Sequence, residues 1–340
     1  MLETTWFLLW GVLWAAYFML DGFDLGLGTL LPFVAKNEEE KRKIYTSIGP
    51  FWDGNEVWLI TAGGVTFAAF PKTYAVMFSS LYSAMMLLLF SLILRGISIE
   101  FRGQVENPRW KSFWDGGMFV GSVLAALLLG ITFGNIFQGV PIDGDGIFHG
   151  TLFTLLNPYG LLGGLLFLAL FLVHGAVWLA IKTDGALHRR GTALARALWP
   201  VVVGLAVLFL AASAFATDLY ANYLATPILF AVPLLCVAGL LLTRFFVAGG
   251  RMWNAWFASS LAIVGATMFG VVGLYPNLLP SSLDPAYSLT AFNSMSSPLT
   301  LKIMLGVTLA FVPVVIAYQA WVYRFFRHKV TREDMAYEEG

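Results

Sequence analysis

The chain has 340 residues, 59% of them hydrophobic and only 12% charged, with a mean hydropathy of +0.77. A water-soluble globule of this size needs far more polar surface, so the composition identifies an integral membrane protein. Twenty Lys and Arg balance twenty Asp and Glu, and no basic stripe interleaved with aromatics appears, which excludes nucleic acid as a partner.

Apolar runs of about 20 residues predict an all-α polytopic fold, a single integral membrane domain over 1–340. Nine spans are expected, at about 6–33, 52–70, 74–99, 113–137, 155–181, 193–217, 226–243, 253–275 and 301–325. The amino terminus lacks the basic region of a signal peptide, so the first run is expected to be a retained helix. It carries Asp21 and Asp24 within its apolar stretch. The second span opens on Ser47 to Trp58, which places Asp53 and Glu56 three residues apart, on one helical face. The third ends on Arg95 and Glu100, the fourth on Asn135 and Gln138. His174 lies in the fifth span and the single cysteine, Cys236, in the seventh, where packing is its expected role. Lys and Arg cluster after the first, third, fifth, seventh and ninth spans, and 18 of the 20 fall there, leaving Lys72 and Lys302 on the other side. The positive-inside rule then puts the amino terminus outside and the carboxyl terminus in the cytoplasm. The long connections near 138–154 and 276–300, rich in Gly, Pro, Ser and Asp, would cap the outer face. Gly22, Gly26, Gly63, Gly64, Gly160, Gly163, Gly164 and Gly175 supply the small residues through which membrane helices approach closely.

Carboxylates inside apolar spans need an explanation, because a charge at the centre of a membrane helix costs roughly 2.5–3.5 kcal/mol on insertion scales. With this orientation Asp53 and Glu100 fall at the cytoplasmic mouth and Glu56 one turn deeper. Asp24 follows, and Asp21 lies near mid-membrane. Such a graded series suits a proton or cation pathway, since chains of Asp and Glu serve as intramembrane relays. The competing reading is structural. Asp53 and Glu100 would be interfacial charges paired with Arg95 or Arg102, and for Glu100 alone that reading is the stronger. Asp24 and Glu56 would be satisfied by hydrogen bonds between helices. Asp21 resists this reading, being deepest and having no basic residue in its own helix.

Other features are weaker. One intramembrane histidine among four cannot make a bis-histidine haem site, and a buried, hydrogen-bonded role suits His174 better. Trp6, Trp58, Trp253 and Trp321 read as an interfacial aromatic belt. Arg95, Asn135 and Gln138 would line a cavity, or equally snorkel or cap helix ends. No nucleotide loop, nucleophile elbow or metal-ligand spacing is present.

Several long motifs then resemble one family in order along nearly the whole chain. These are Asp21-Gly22-Phe23-Asp24, the segment from Trp52 to Gly64, Phe133 to Pro141, and Leu156-Asn157-Pro158-Tyr159-Gly160. Phe257 to Leu261, Leu279 to Ser282 and Ser296 to Leu301 complete the set. The sequence is similar to subunit II of cytochrome bd-type quinol oxidases. The resemblance implies two four-helix bundles plus one peripheral helix, no haem in this chain, and a heterodimer with a haem-bearing subunit I. That partner would hold two b-type haems and one d-type haem, oxidise quinol and reduce oxygen to water in the bacterial cytoplasmic (inner) membrane, electrogenically but without proton pumping. For this chain it implies stabilisation of the partner and part of a cytoplasmic proton route through Asp21 and Asp53. Glu100 stands where a better-known relative has Asp, and Glu56 where it has Gln, so no family role passes to Glu56. Trp52, Asn55 and Trp58 belong to the matching motif, near the subunit interface and haem propionates, with packing as the alternative. A cyanide-insensitive oxidase lacking haem d, and a proton- or cation-coupled secondary transporter using the same acids, remain the competing assignments. The quinone used, a structural quinone or lipid in this chain, and small single-helix accessory subunits are left open.

Overall fold

The computed structural model describes residues 1–337. The helices are α1 (Leu2–Leu20), α2 (Gly22–Val34), α3 (Glu38–Ile48), α4 (Trp52–Ala69), α5 (Pro71–Ser80), α6 (Tyr82–Phe101), α7 (Pro108–Gln138) and α8 (Leu152–Leu155). They continue with α9 (Pro158–Lys182), α10 (Gly185–Ala216), α11 (Tyr220–Ala225), α12 (Ala231–Ala248), α13 (Met252–Leu274), α14 (Pro298–Phe325) and α15 (Arg332–Tyr337). A short antiparallel ribbon pairs β1 (Asn277–Leu279) with β2 (Leu289–Thr290).

Eight segments among the described residues are long and apolar enough to cross a membrane. They correspond to eight of the nine expected spans; α1 and α2 form one of them, interrupted at Asp21. The remaining expected span, 52–70, is the 18-residue helix α4, whose Asp53, Asn55 and Glu56 dilute its apolar character. The third expected span differs in detail. Its first turns form the separate helix α5, and the chain bends at Leu81 (φ −98°, ψ 14°) before α6 begins.

Helix α9 runs through the middle, against α2, α7, α10 and α13, and is almost wholly buried. Its neighbours come close because glycines face each other. A Cβ on Gly130 of α7 would lie 2.4 Å from the Gly163 carbonyl, and one on Gly163 2.7 Å from the Gly130 carbonyl. Gly63 and Gly64, by contrast, face open space and bring no helix together among the described residues. Around α9 the core is aromatic, with Phe18 edge-on to Phe133 and Phe167 at 5.0 and 4.9 Å between ring centres. At the opposite extreme, α14 touches α1 and α4 but is exposed along nearly its whole length.

Helix α3 lies across one end of the molecule, with Asn37 capping it through the Glu40 backbone N–H at 2.9 Å. The Glu40 side chain accepts from the Lys36 N–H at 2.7 Å and from Arg190 of α10, whose guanidinium also reaches the Val34 carbonyl. Burial works to raise the Glu40 pKa, but the Arg190 and Lys36 hydrogen bonds outweigh it and hold the carboxyl below its ordinary 4.5. A depressed carboxylate pKa contributes stability that is present above the ordinary value and lost as pH falls through the folded one. Glu40→Gln is therefore expected to cost about 1 kcal/mol near neutral pH and to lessen the fall in melting temperature on acidification toward pH 4. Thermal unfolding across that range, wild type against variant, checks it.

Candidate functional site

A cluster of ionisable and amide side chains is built where α1, α2, α4, α6 and α14 meet. Asp21 occupies the interruption between α1 and α2, and Asp24 follows one turn later on α2; neither exposes any surface. Arg95 of α6 is fully buried as well. Its Nη1 donates to Asp21 Oδ1 at 2.7 Å and its Nη2 to Glu56 Oε2 at 2.7 Å, so one guanidinium bridges carboxylates from two other elements. Glu56 is the exposed end of this bridge, with 23% of its side chain accessible. Burying an arginine is tolerable only with such partners, because the desolvation cost is several kcal/mol per ion.

Asp24 takes a different partner. Asn55 Nδ2 donates to its Oδ2 at 2.7 Å, and Asn55 Oδ1 accepts from Tyr323 Oη at 2.9 Å and Gln319 Nε2 at 3.0 Å, both on α14. Trp58 Nε1 donates to Gln319 Oε1 at 2.7 Å. Among the described residues, four buried polar atoms here lack a hydrogen-bond partner: Asp21 Oδ2, Asp24 Oδ1, Arg95 Nε and the Tyr17 hydroxyl, one helical turn before Asp21. Two carboxyl groups thus share one guanidinium, and a third, that of Asp24, lies beside them on an amide, with acceptor and donor valences left over. Burial without full pairing is costly, and such clusters concentrate at functional sites.

Asp53 and Glu100 are exposed and line a cavity of about 1270 Å³ between α3, α4, the end of α6 and α14, at the end of the molecule that carries α3. Neither makes an ion pair among the described residues. The arginines that the sequence offers them go elsewhere, Arg95 inward to Asp21 and Glu56, and Arg102 to Asp115 at 2.6 Å and Glu38 at 2.8 Å. Gln319 and Tyr323 line the same cavity. The five acids singled out from the sequence therefore divide into an exposed pair on the cavity wall and a buried or half-buried trio. Trp52 is half-buried against Gly96 of α6, while Asn55 and Trp58 are buried and turned toward α14. Sequence reasoning missed Tyr17, Gln319 and Tyr323, and gave Arg95 no inward role. The excess of acids over bases in the apolar spans is the one signal that points to a buried cation.

His174 of α9 is fully buried, with Nδ1 2.7 Å from Ser259 Oγ and Nε2 3.0 Å from the Met19 carbonyl. Both ring nitrogens are engaged, so the imidazole does not fit as a haem ligand. Asn135 is inward too. Its amide donates to the Ile131 and Leu155 carbonyls and accepts from Asn157, fastening α7 to the turn before α9.

These features define a polytopic helical membrane protein with a charged cluster inside its bundle, beside a cavity whose largely apolar wall carries Asp53 and Glu100. The family model described as "Cytochrome bd terminal oxidase subunit II" matches residues 2–326. The chain is 37% identical to the Escherichia coli K12 protein named "Cytochrome bd-I ubiquinol oxidase subunit 2", over 98% of this chain and 96% of that one. It is likewise 37% identical to "Cytochrome bd ubiquinol oxidase subunit 2" of Bacillus subtilis 168, over 99% of each. In fold it matches a chain from the bd oxidase of Geobacillus thermodenitrificans, with a TM-score of 0.78 at 18% identity, covering 96% of this chain and 98% of that one. The chain belongs to the cytochrome bd terminal oxidase subunit II family, as a multi-pass protein of the bacterial inner membrane.

Proposed function

We propose that this chain forms a heterodimer with a haem-bearing subunit I, which oxidises quinol and reduces oxygen to water. In this reading the chain itself holds no haem, stabilises that partner and conducts cytoplasmic protons toward it. The observation that carries the proton role is the Asp21–Arg95–Glu56 bridge beneath a cavity whose wall bears the unpaired Asp53 and Glu100. Entry is at Asp53 and Glu100. Glu56, with 23% of its side chain accessible, passes protons inward, and Asp21 and Asp24 hold them at depth, where three carboxyls to one guanidinium leave room for a proton without a net gain of buried charge. Haem in the partner would supply electron transfer to oxygen, and the engaged nitrogens of His174, the one histidine within the expected spans, support a haem-free role for this chain.

The topology that goes with this reading has nine spans, α4 included, with the amino terminus outside and the α3 end in the cytoplasm. One bundle is α1–α2 with α4, α6 and α7, the second is α9, α10, α12 and α13, and α14 is peripheral. Protons consumed from the cytoplasm and released outside at quinol oxidation would separate charge without pumping. Trp52, half-buried against Gly96 of α6, would lie near the interface with subunit I.

Asp21→Asn keeps the shape and one acceptor for Arg95 but removes a titratable group. Quinol-dependent oxygen uptake by the purified complex is expected to fall at least ~10-fold with haem content unchanged. Uptake equal to wild type at equal haem content would refute the proton role and leave the chain a structural subunit.

A further inference from the structure

Of the two deep acids, Asp24 is set apart from Asp21 by a chain of hydrogen bonds whose direction is fixed from one end. Trp58 is a donor only, so the Gln319 atom 2.7 Å from its indole nitrogen is the amide oxygen. That turns Gln319 Nε2 toward Asn55, and an NH₂ group only donates, so the Asn55 atom it meets at 3.0 Å is Oδ1. Tyr323, 2.9 Å from the same Oδ1, must donate too. Asn55 Nδ2 is then fixed on Asp24 Oδ2 at 2.7 Å. Trp58, Gln319, Asn55 and Asp24 are therefore a one-way sequence of donors, in which Asp24 Oδ2 is always the acceptor. A proton on Asp24 is confined to Oδ1, the buried oxygen with no partner.

Resting on the proton-uptake reading, we infer that Gln319 and Tyr323 of α14 are positioning residues for Asp24, acting through Asn55, so that the docking of α14 sets how Asp24 accepts a proton. The helix is suited to this. It is the least buried of the long helices, and its other polar ties lie at its ends. Trp6 Nε1 donates to the Leu301 carbonyl at 3.2 Å, and Lys182 donates to the Phe326 carbonyl and, at 2.8 Å, to that of His328. Between those anchors Gln319 and Tyr323 form part of the cavity wall, on the route by which protons would arrive. A small outward movement of α14 removes both donors from Asn55 Oδ1 and frees the amide to rotate away from Asp24. The charged and titratable groups around Asp24 are Asp21, Glu56 of α4, Arg95 of α6 and Tyr323 of α14, with His174 of α9 beside Phe23.

The test uses the assembled oxidase, with Gln319→Leu and Tyr323→Phe combined, and Asp21→Asn in parallel. The expected result is normal haem content, an unchanged KM for quinol and a kcat lowered by ~5-fold. The pH profile of turnover should be displaced by about half a unit or more, and the solvent deuterium isotope effect increased. Trp58→Phe, which removes only the donor that orients Gln319, should shift the profile in the same sense by less. A loss of activity that merely tracks haem loss, with profile and isotope effect unmoved, overturns the inference in favour of packing. A wild-type profile in the double variant while Asp21→Asn is impaired overturns it too, but leaves the uptake pathway standing. Wild-type behaviour in both removes the pathway along with it.

Discussion

Replacing Arg95 by leucine is expected to destabilise the protein by about 3–5 kcal/mol, the usual cost of removing one partner of a buried ion pair. The guanidinium is fully buried and supplies, among the described residues, the one cation within hydrogen-bonding distance of Asp21, as well as the partner of Glu56. Its loss strands two carboxyls, and either they fill with protons or the helices part to admit water. Arg95→Lys should be intermediate, because an ammonium is a single point of charge and cannot bridge two acids as Nη1 and Nη2 do, each at 2.7 Å. The decisive comparison is the triple variant Arg95→Leu, Asp21→Asn, Glu56→Gln. Neutralising all three removes the uncompensated charge, so thermal stability and haem retention should recover by more than half while oxygen uptake stays low. If the triple variant is no more stable than Arg95→Leu alone, the arginine acts through its volume and not its charge.

The contrast between what the sequence reveals of this cluster and what it hides has a physical basis. Asp21, Asp24, Asp53, Glu56 and Glu100 are legible because each is an acid in or at the edge of an apolar run, and a linear scan detects that contrast. Most spans are legible for the same reason. The partner of Asp21 is not, because Arg95 lies 74 residues away and its direction depends on the rotational phase of α6. A basic residue close to a span end is equally compatible with snorkelling outward. Gln319 and Tyr323 are hidden more deeply, meeting Asn55 from 264 and 268 residues away through neutral groups common in any membrane helix. The status of α4 is ambiguous on hydropathy for the reason that makes it interesting. The residues that dilute its apolar character, Asn55 and Glu56 among them, are those that reach Asp24 and Arg95.

Gly26→Ala is expected to be among the most damaging single-methyl additions in the chain. A Cβ at Gly26 would lie 1.8 Å from the carbonyl oxygen of Phe171, and one at Gly175, across the same contact, 2.5 Å from the backbone nitrogen of Leu27. Here α2 and α9 touch backbone to backbone, so no side chain can turn aside, and the helices must separate. Overpacking of this kind costs 1–3 kcal/mol where neighbours can adjust and about 3 kcal/mol or more where they cannot. The lever is long, because α9 is the central helix and α2 carries Asp24 two residues from the crossing. Gly22→Ala differs in kind. Its Cβ would meet the ring of Phe171 at 2.6 Å, and a ring can tilt, so a cost nearer 1 kcal/mol is expected. Gly204→Ala on the exposed side of α10 meets nothing within 4 Å and should be neutral or slightly stabilising, since alanine favours helix over glycine by up to about 1 kcal/mol. Thermal unfolding of the three variants should rank them Gly26, Gly22, Gly204 from most to least destabilised. A Gly26→Ala protein as stable as Gly204→Ala would mean that α2 and α9 can move apart freely, and that the placement of Asp24 does not depend on their contact.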